Sequence, residues 1–315
     1  MNILECTNLS KRFNLDSGFF ARFGRFVHAV RNVSFSIGEN ESYGLVGESG
    51  CGKTTTARML TGMYPVDGGS IVYREATDIS RLSGKEFRDY RARVKYVFQD
   101  PARSLNPRMN VFHILTSGYR WSGHWPGTVK ARAEAAAILE EVGLSASDLE
   151  RRPADFSGGQ RQRISIARGL IMQPEVLICD EVVSALDVSI QGQILNLLSD
   201  IRTRRNIAFL FIAHDLKVAS WFCDRIGVMY RGELVEEAPA RDMHRTARHP
   251  YTVILFNAAR GQDNPAVGKD HRVQAGVTSC AFADRCPHVL DRCLQERPEW
   301  REIGPGHRIR CHLDS

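Results

Sequence analysis

The chain has 315 residues, 43% of them hydrophobic and 25% charged, and a formal net charge of +6. That length admits one large domain with a smaller appendage, and the balance is that of a globular protein rather than a disordered one. The basic residues are spread along the chain instead of gathering in one tract, which argues for a basic surface and against a nucleic-acid binder.

Short alternating stretches, ILECTNL, HAVRNVSFSI and ESYGLV, read as strands within residues 1–46. Ser17 to Phe26, rich in Gly, Phe and Arg, reads as a loop inserted among them. Ser42 to Val46 runs into glycines and then a helix from Lys53 to Leu60, and Asp67-Gly68-Gly69 is a turn before a short strand. Residues 80–93 read as helical and Val94 to Phe98 as a strand. A helical insertion covers about 107–150, strongest over the Ala/Glu/Leu-rich Ala131 to Val142. Then follow a helix from Gln160 to Leu170, a strand from Val176 to Cys179, a helix from Ser189 to Arg204 and a strand from Ile207 to Ala213. Strands separated by helices at this spacing predict an α/β core with a largely parallel sheet.

The strand IAFLFIA, Ile207 to Ala213, is too short to span a bilayer, and MNILECTNLS lacks the pattern of a signal peptide. The expectation is a protein of the cytosol that reaches a membrane only through partner subunits. Gly, Asp, Asn, Pro and Lys enrich Ala259 to Gly276, which reads as a linker, and a small cysteine-rich tail follows.

Gly47-Glu48-Ser49-Gly50-Cys51-Gly52-Lys53-Thr54 fits GxxxxGK[ST], between a predicted strand and a predicted helix, with Thr55 next in line. Glycines there let successive backbone N–H groups face phosphate oxygens at a helix N-terminus. Lys53 can reach the β- and γ-phosphates, and the Thr54 hydroxyl can ligate Mg²⁺. Val176 to Cys179 is an apolar strand ending in two acids. Asp180 is placed to hold Mg²⁺ and Glu181 to polarise an attacking water. The expected ligand is ATP.

Phe156-Ser157-Gly158-Gly159-Gln160-Arg161-Gln162-Arg163 resembles the signature motif of ATP-binding cassette transporter ATPases, with Phe156 where Leu is usual. Ser157, Gly158, Gly159 and Gln160 form a second phosphate nest at a helix start, and in that family it serves ATP held by a partner's glycine loop. The resemblance implies a P-loop cassette domain over residues 1–258, with a helical subdomain at about 107–170. It implies that Gln99, in VFQD, is the glutamine near Mg²⁺ and that Asp187, in SALD, lies in the loop crossing the dimer interface. It makes His214, 34 residues after Asp180, the switch histidine and Phe13 the aromatic that stacks on adenine, while Phe35 and Tyr43 read as core. Val182 departs from the family, which has proline there. Proline fixes φ but carries no chemistry, so activity is expected to survive.

FQDPARSLNPRM, CDEVVSALDVSIQGQ and residues 259–315 resemble the oligopeptide/dipeptide importer branch, and the start of the chain resembles its second ATPase, the F subunit. The implied function is ATP hydrolysis powering di- or oligopeptide import, on the cytoplasmic face of the membrane. The implied partners are a second ATPase in a head-to-tail heterodimer, two transmembrane permeases and a solute-binding protein. An importer of nickel, glutathione or another small solute is the alternative. A cassette acting on nucleic acid fits poorly, because Lys53 and Asp180 are only 127 positions apart with no heptad region between them.

Cys280, Cys286, Cys293 and Cys311 crowd the tail at C-x₅-C-x₆-C-x₁₇-C. Four thiolates suit a [4Fe–4S] cluster or Zn²⁺. The spacing selects neither, the importer resemblance favours the cluster, and four reduced cysteines packed in a small apolar tail remain the plain alternative.

Overall fold

The computed structural model describes residues 1–14, 26–262 and 279–313. In chain order the strands are β1 Asn2–Asn14, β2 Phe26–Gly38, β3 Ser42–Val46, β4 Gly68–Tyr73, β5 Thr77–Asp78, β6 Val94–Val97, β7 Val176–Asp180, β8 Ala208–Ala213, β9 Arg225–Tyr230, β10 Glu233–Pro239, β11 Arg301–Gly304 and β12 His307–Ile309. The helices are α1 Lys53–Leu60, α2 Gly84–Arg93, α3 Pro101–Ser104, α4 Val111–Ser122, α5 Thr128–Glu141, α6 Gly158–Leu170, α7 Val188–Arg205, α8 Leu216–Phe222, α9 Ala240–Thr246, α10 Pro250–Arg260 and α11 Asp291–Gln295.

β3, β7 and β8 are buried at every position, as strands covered on both faces must be. They lie in the parallel run β6–β7–β8–β3–β9. Val46 stands opposite Ala213, and Asp180 opposite Ile212. The register therefore brings the residues that follow these strands, Gly47, Glu181 and His214, out at the same edge. Ligands of open α/β sheets gather at this carboxyl edge.

Beyond β9 the sheet turns antiparallel. β10 pairs with β9, and the tail hairpin β11–β12 joins through Glu236↔Ile309 and Glu237↔Arg308. The tail thus extends the main sheet. A separate antiparallel sheet, β2-β1-β4-β5, packs Leu4, Leu9, Val33 and Ile37 into a core shared with α1 and one face of the main sheet. The expected parallel core is present in five strands; among the antiparallel pairings, β1–β4 and β10–β12 join distant segments while β9–β10 and β11–β12 are local hairpins.

The helical insertion contains α4 and α5. Asn110 caps α4 by accepting from the His113 N–H at 3.0 Å. Val111, Ile114 and Leu115 turn inward while Trp121 is 85% exposed. α10 continues through Arg260 and closes on Gly261 at φ 69°, a left-handed stop suited to glycine. The linker expected from Ala259 therefore starts only after Arg260, and its residues 263–276 lie outside the described residues, as does most of the loop expected from Ser17 to Phe26. Phe26 itself begins β2. Among the described residues no helix is long and apolar enough to cross a membrane.

His249 caps α10 while fully enclosed. Its Nδ1 accepts from the Tyr251 N–H at 3.2 Å, and its backbone N–H donates to the Glu236 carboxylate at 3.1 Å. Burial pushes the imidazole down to about 4, against a partial counter-effect from the Glu236 carboxylate. The unfolded chain takes up this proton near 6.5, the folded chain only near 4. Stability from this group is therefore complete above the unfolded value and is lost as pH falls toward the folded one. At about 1.4 kcal/mol per pH unit, the loss reaches roughly 3 kcal/mol. Thermal unfolding is expected to show a clear drop in Tm from pH 7.5 to pH 5, and His249→Asn, which keeps a capping acceptor, is expected to flatten it. An undiminished drop in the variant contradicts this assignment.

Candidate active site

The turn after β3 is forced by close backbone approach. Gly47 has φ 151°, and a Cβ there would lie 2.1 Å from the Met229 carbonyl oxygen. Gly52 has φ 111°, and a Cβ there would lie 2.2 Å from that of Ala29. Both positions require glycine. Gly52 then starts α1, whose first residue is Lys53. Lys53 is buried, and its ammonium donates to the carbonyls of Gly47 at 2.7 Å and Glu48 at 3.0 Å. Cys51, enclosed in the same turn, has its thiol pushed up by burial.

A cavity of about 220 Å³ opens over this turn. Ser49, Gly50, Gly52, Lys53, Thr54 and Thr55 line it, with Ala29 from β2 and with Gln99 and Glu181 from the far side. Gln99 Nε2 donates to Glu181 Oε2 at 2.6 Å. Thr54 Oγ1 donates toward both Asp180 oxygens, at 3.0 and 3.1 Å, and the Tyr96 hydroxyl donates to Asp180 from beneath. The thin strand motif thus becomes a polar cluster. The Thr54 hydroxyl and the buried Asp180 carboxylate are hard oxygen donors in direct contact, the set that Mg²⁺ prefers.

Glu181 has φ 49°, left-handed for a residue with a side chain, a conformation that costs on the order of 1 kcal/mol and persists only when surrounding bonds impose it. Its N–H donates to Ile212 O at 3.0 Å, and its carbonyl accepts from both Ser184 N and Ser184 Oγ at 3.1 and 2.9 Å. Val182, in the place of the family's proline, is buried in the core. His214 is exposed and lines a smaller cavity next door, which it shares with Glu181 and Ser184.

Ser157 accepts from the Gln160 N–H at 3.3 Å, and the Gln160 side chain accepts from the Ser157 N–H at 3.0 Å. This reciprocal cap holds the start of α6 open. Ser157 and Gly158 are exposed, and Ser157 to Gln160 take no part in lining the 220 Å³ cavity. Asp187, exposed, starts α7. Phe13 is half-buried and meets Tyr64 edge to face at 5.4 Å, while Phe35 and Tyr43 stack in the core at 4.9 Å. Tyr96 and Ala29 carried no signal in the sequence. One reads as an ordinary strand aromatic and the other as a strand filler.

In the tail, Cys280, Cys286 and Cys293 are buried and Cys311 is partly so, and all are free thiols. Burial pushes Cys280 up to about 12 and Cys286 up to about 11, and the neighbouring tail cysteines add to both shifts. The four gather, with the Cys280 N–H donating to the Cys293 carbonyl at 2.9 Å. They do not close into a ligand set: among the described residues no group of three or more His, Cys, Asp or Glu is placed to hold a metal ion. The metal centre expected at Cys280, Cys286, Cys293 and Cys311 is therefore not supported by the structure: the thiols share one small region without forming a group placed to hold an ion. His307 bonds Glu236 at 2.8 Å and His312 approaches the Glu296 carbonyl at 3.2 Å, so both have partners within the protein.

A P-loop turned onto the carboxyl edge of this sheet, with an acid pair beside it and a capped Ser-Gly-Gly helix start away from it, is the plan of an ATP-binding cassette. The ABC transporter family pattern matches residues 30–184, and the oligopeptide/dipeptide transporter C-terminal region matches residues 235–293. A putative peptide import ATP-binding protein of Brucella ovis is 42% identical over 292 residues, covering 90% of this chain and 91% of that one. Oligopeptide transport ATP-binding protein AppF of Bacillus subtilis is 40% identical over 324 residues, covering 99% and 98%. The chain belongs to the ABC transporter family and is an ATPase of that family. The fold is shared with the ATP-binding cassette MJ0796, seen as a post-hydrolysis dimer bound to ADP and Pi. That match has 24% identity and a TM-score of 0.65, over 76% of this chain and 99% of that one. It is also shared with cbiO1 of Clostridium perfringens, at 24% identity and TM-score 0.66, over 82% and 95%.

Proposed function

We propose that this chain hydrolyses ATP to drive peptide import, as the cytoplasmic ATPase subunit of a membrane transporter. The observation that carries the reading is the 220 Å³ cavity in which the glycine loop, Gln99 and Glu181 face one another. Matches to peptide and oligopeptide import ATPases over nearly the whole chain support the solute class.

In this reading the backbone N–H groups of Gly50 to Thr55 and the Lys53 ammonium receive the phosphates, and Phe13 supports the base. Mg²⁺ held by Thr54, Asp180 and Gln99 would neutralise charge developing on the phosphates. Glu181 orients the attacking water and accepts its proton; Gln99 fixes the Glu181 carboxylate, and His214 approaches from the adjoining cavity. Ser157 to Gln160, exposed at Ser157 and Gly158 and absent from the lining of this chain's own glycine-loop cavity, receive the γ-phosphate of ATP held by a second cassette, with Asp187 at the contact. The pairing is head to tail, and the importer branch favours two different ATPases. Two permeases complete the assembly. A groove of about 470 Å³ between α2, β6 and α4, bordered by Phe98 and the exposed Trp121, supports a docked cytoplasmic segment of a permease beside Gln99.

Glu181→Gln keeps the shape and removes the carboxylate. ATP binding is expected to persist, while steady-state hydrolysis by the assembled transporter falls by about 10²–10⁴-fold. Lys53→Ala is expected to weaken binding and hydrolysis together. Parent-like hydrolysis in Glu181→Gln removes the role given to Glu181.

A second reading rests on the importer resemblance and the shared location of the tail thiols alone: Cys280, Cys286, Cys293 and Cys311, once deprotonated, would be the ligands of a [4Fe–4S] cluster or Zn²⁺. Iron and sulfide near four equivalents each after anaerobic purification is the expected result. Zinc alone selects the other metal, and absence of all three elements leaves four structural thiols.

A further inference from the structure

The phosphate loop is gripped from outside by the tail. Arg285 Nη1 and Nη2 reach the two carboxylate oxygens of Glu48 at 2.9 and 3.1 Å, the forked geometry that makes an arginine pair directional. Glu48 is the second residue of the glycine loop, and Arg285 lies 237 positions further along the chain. The Tyr251 hydroxyl accepts the Glu48 N–H at 2.9 Å. Glu48 is therefore held by its backbone from α10 and by its carboxylate from the tail.

Arg285 is itself well aimed. Its guanidinium lies 5.8 Å from the ring centres of both Tyr230 and Phe282. Phe282 is 1% exposed and meets Tyr230 edge to face at 5.1 Å. The turn carrying Arg285 is fixed by Ala283 N–H to Cys280 O at 3.2 Å and Arg285 N–H to Phe282 O at 3.1 Å. Arg231, just past β9, adds a second strut to Asp284 at 2.8 Å.

Glu48 places a carboxylate in a loop whose task, in the reading above, is to receive a polyanion. Its carbonyl also accepts from the Lys53 ammonium at 3.0 Å, so movement of Glu48 reaches the phosphate-binding lysine directly. We propose that Arg285 is a positioning residue of the nucleotide site: it neutralises Glu48, fixes the loop beneath Lys53 and makes the tail a working part of ATP binding. It acts through Glu48 and does not touch the nucleotide. Because the pair is 31% and 42% exposed, water screens it, and the effect is a modest one.

The inference rests on the nucleotide reading, so the test separates the two. Binding of mant-ATP with Mg²⁺ is measured on the full-length purified chain, with circular dichroism confirming folding. Lys53→Ala reports on the nucleotide reading: parent-like binding in that variant overturns the reading itself. With Lys53→Ala impaired, Arg285→Ala is expected to raise Kd about three- to fivefold. Arg285→Lys, which keeps the charge, is expected to recover part of the loss. Adding Glu48→Gln to Arg285→Ala is expected to recover most of it, because no uncompensated carboxylate remains. Should Arg285→Ala not fold, Arg285→Gln serves in its place. Unchanged affinity in the neutral variant overturns the inference. So does a loss that Glu48→Gln leaves at full size, since that marks general damage to the tail.

Discussion

The nucleotide end of the molecule depends on one constraint, the close approach of the Gly47–Lys53 turn to the backbone of β9 and β2. Contact with the Met229 and Ala29 carbonyls leaves no room for a Cβ at Gly47 or Gly52. With that turn seated, α1 starts where Lys53 can be buried and Thr54 can meet Asp180. The parallel register of β7 and β8 then delivers Glu181 and His214 to the same edge. Backbone geometry is set first, and the polar side chains inherit their positions from it.

The acid pair shows how neighbouring residues acquire different tasks. Asp180 is the last residue of a buried strand and is held by Thr54 and Tyr96. Glu181, one step on, takes a left-handed φ that swings it out of the strand toward Gln99. One carboxylate faces the loop and α1, the other the open cavity. The strained φ is imposed by three hydrogen bonds of the Glu181 backbone, its N–H donating to the Ile212 carbonyl and its own carbonyl accepting twice from Ser184, an arrangement common where a side chain must be aimed.

Much of this was legible in the sequence, because the chemistry of a phosphate loop is contiguous. Gly47 to Thr54 is one turn, Asp180-Glu181 is one strand end, and Ser157 to Gln160 is one helix start. The strands and helices around them carry strong period signals, and the described elements follow those readings within a few residues. What stayed hidden is non-local. Nothing near His307 to Ile309 indicates that this hairpin adds to β10, and nothing near Arg285 points to Glu48. Tyr96 reads as a strand aromatic until Asp180 is placed beside it. The tail cysteines are the opposite case: four soft ligands in a short span suggest a metal in the sequence, and the structure brings the thiols into one region without closing them into a ligand set.

The proposal that matters most is that this site is half of a working one, with the exposed Ser157 nest serving a nucleotide bound by a second cassette. Specific hydrolytic activity as a function of protein concentration, with sedimentation velocity on the same samples and with and without a second cassette ATPase added, tests it most directly. The account predicts that activity per chain rises with the fraction of paired cassettes and vanishes in step with dissociation. Full turnover per chain at concentrations where only monomer sediments would contradict it.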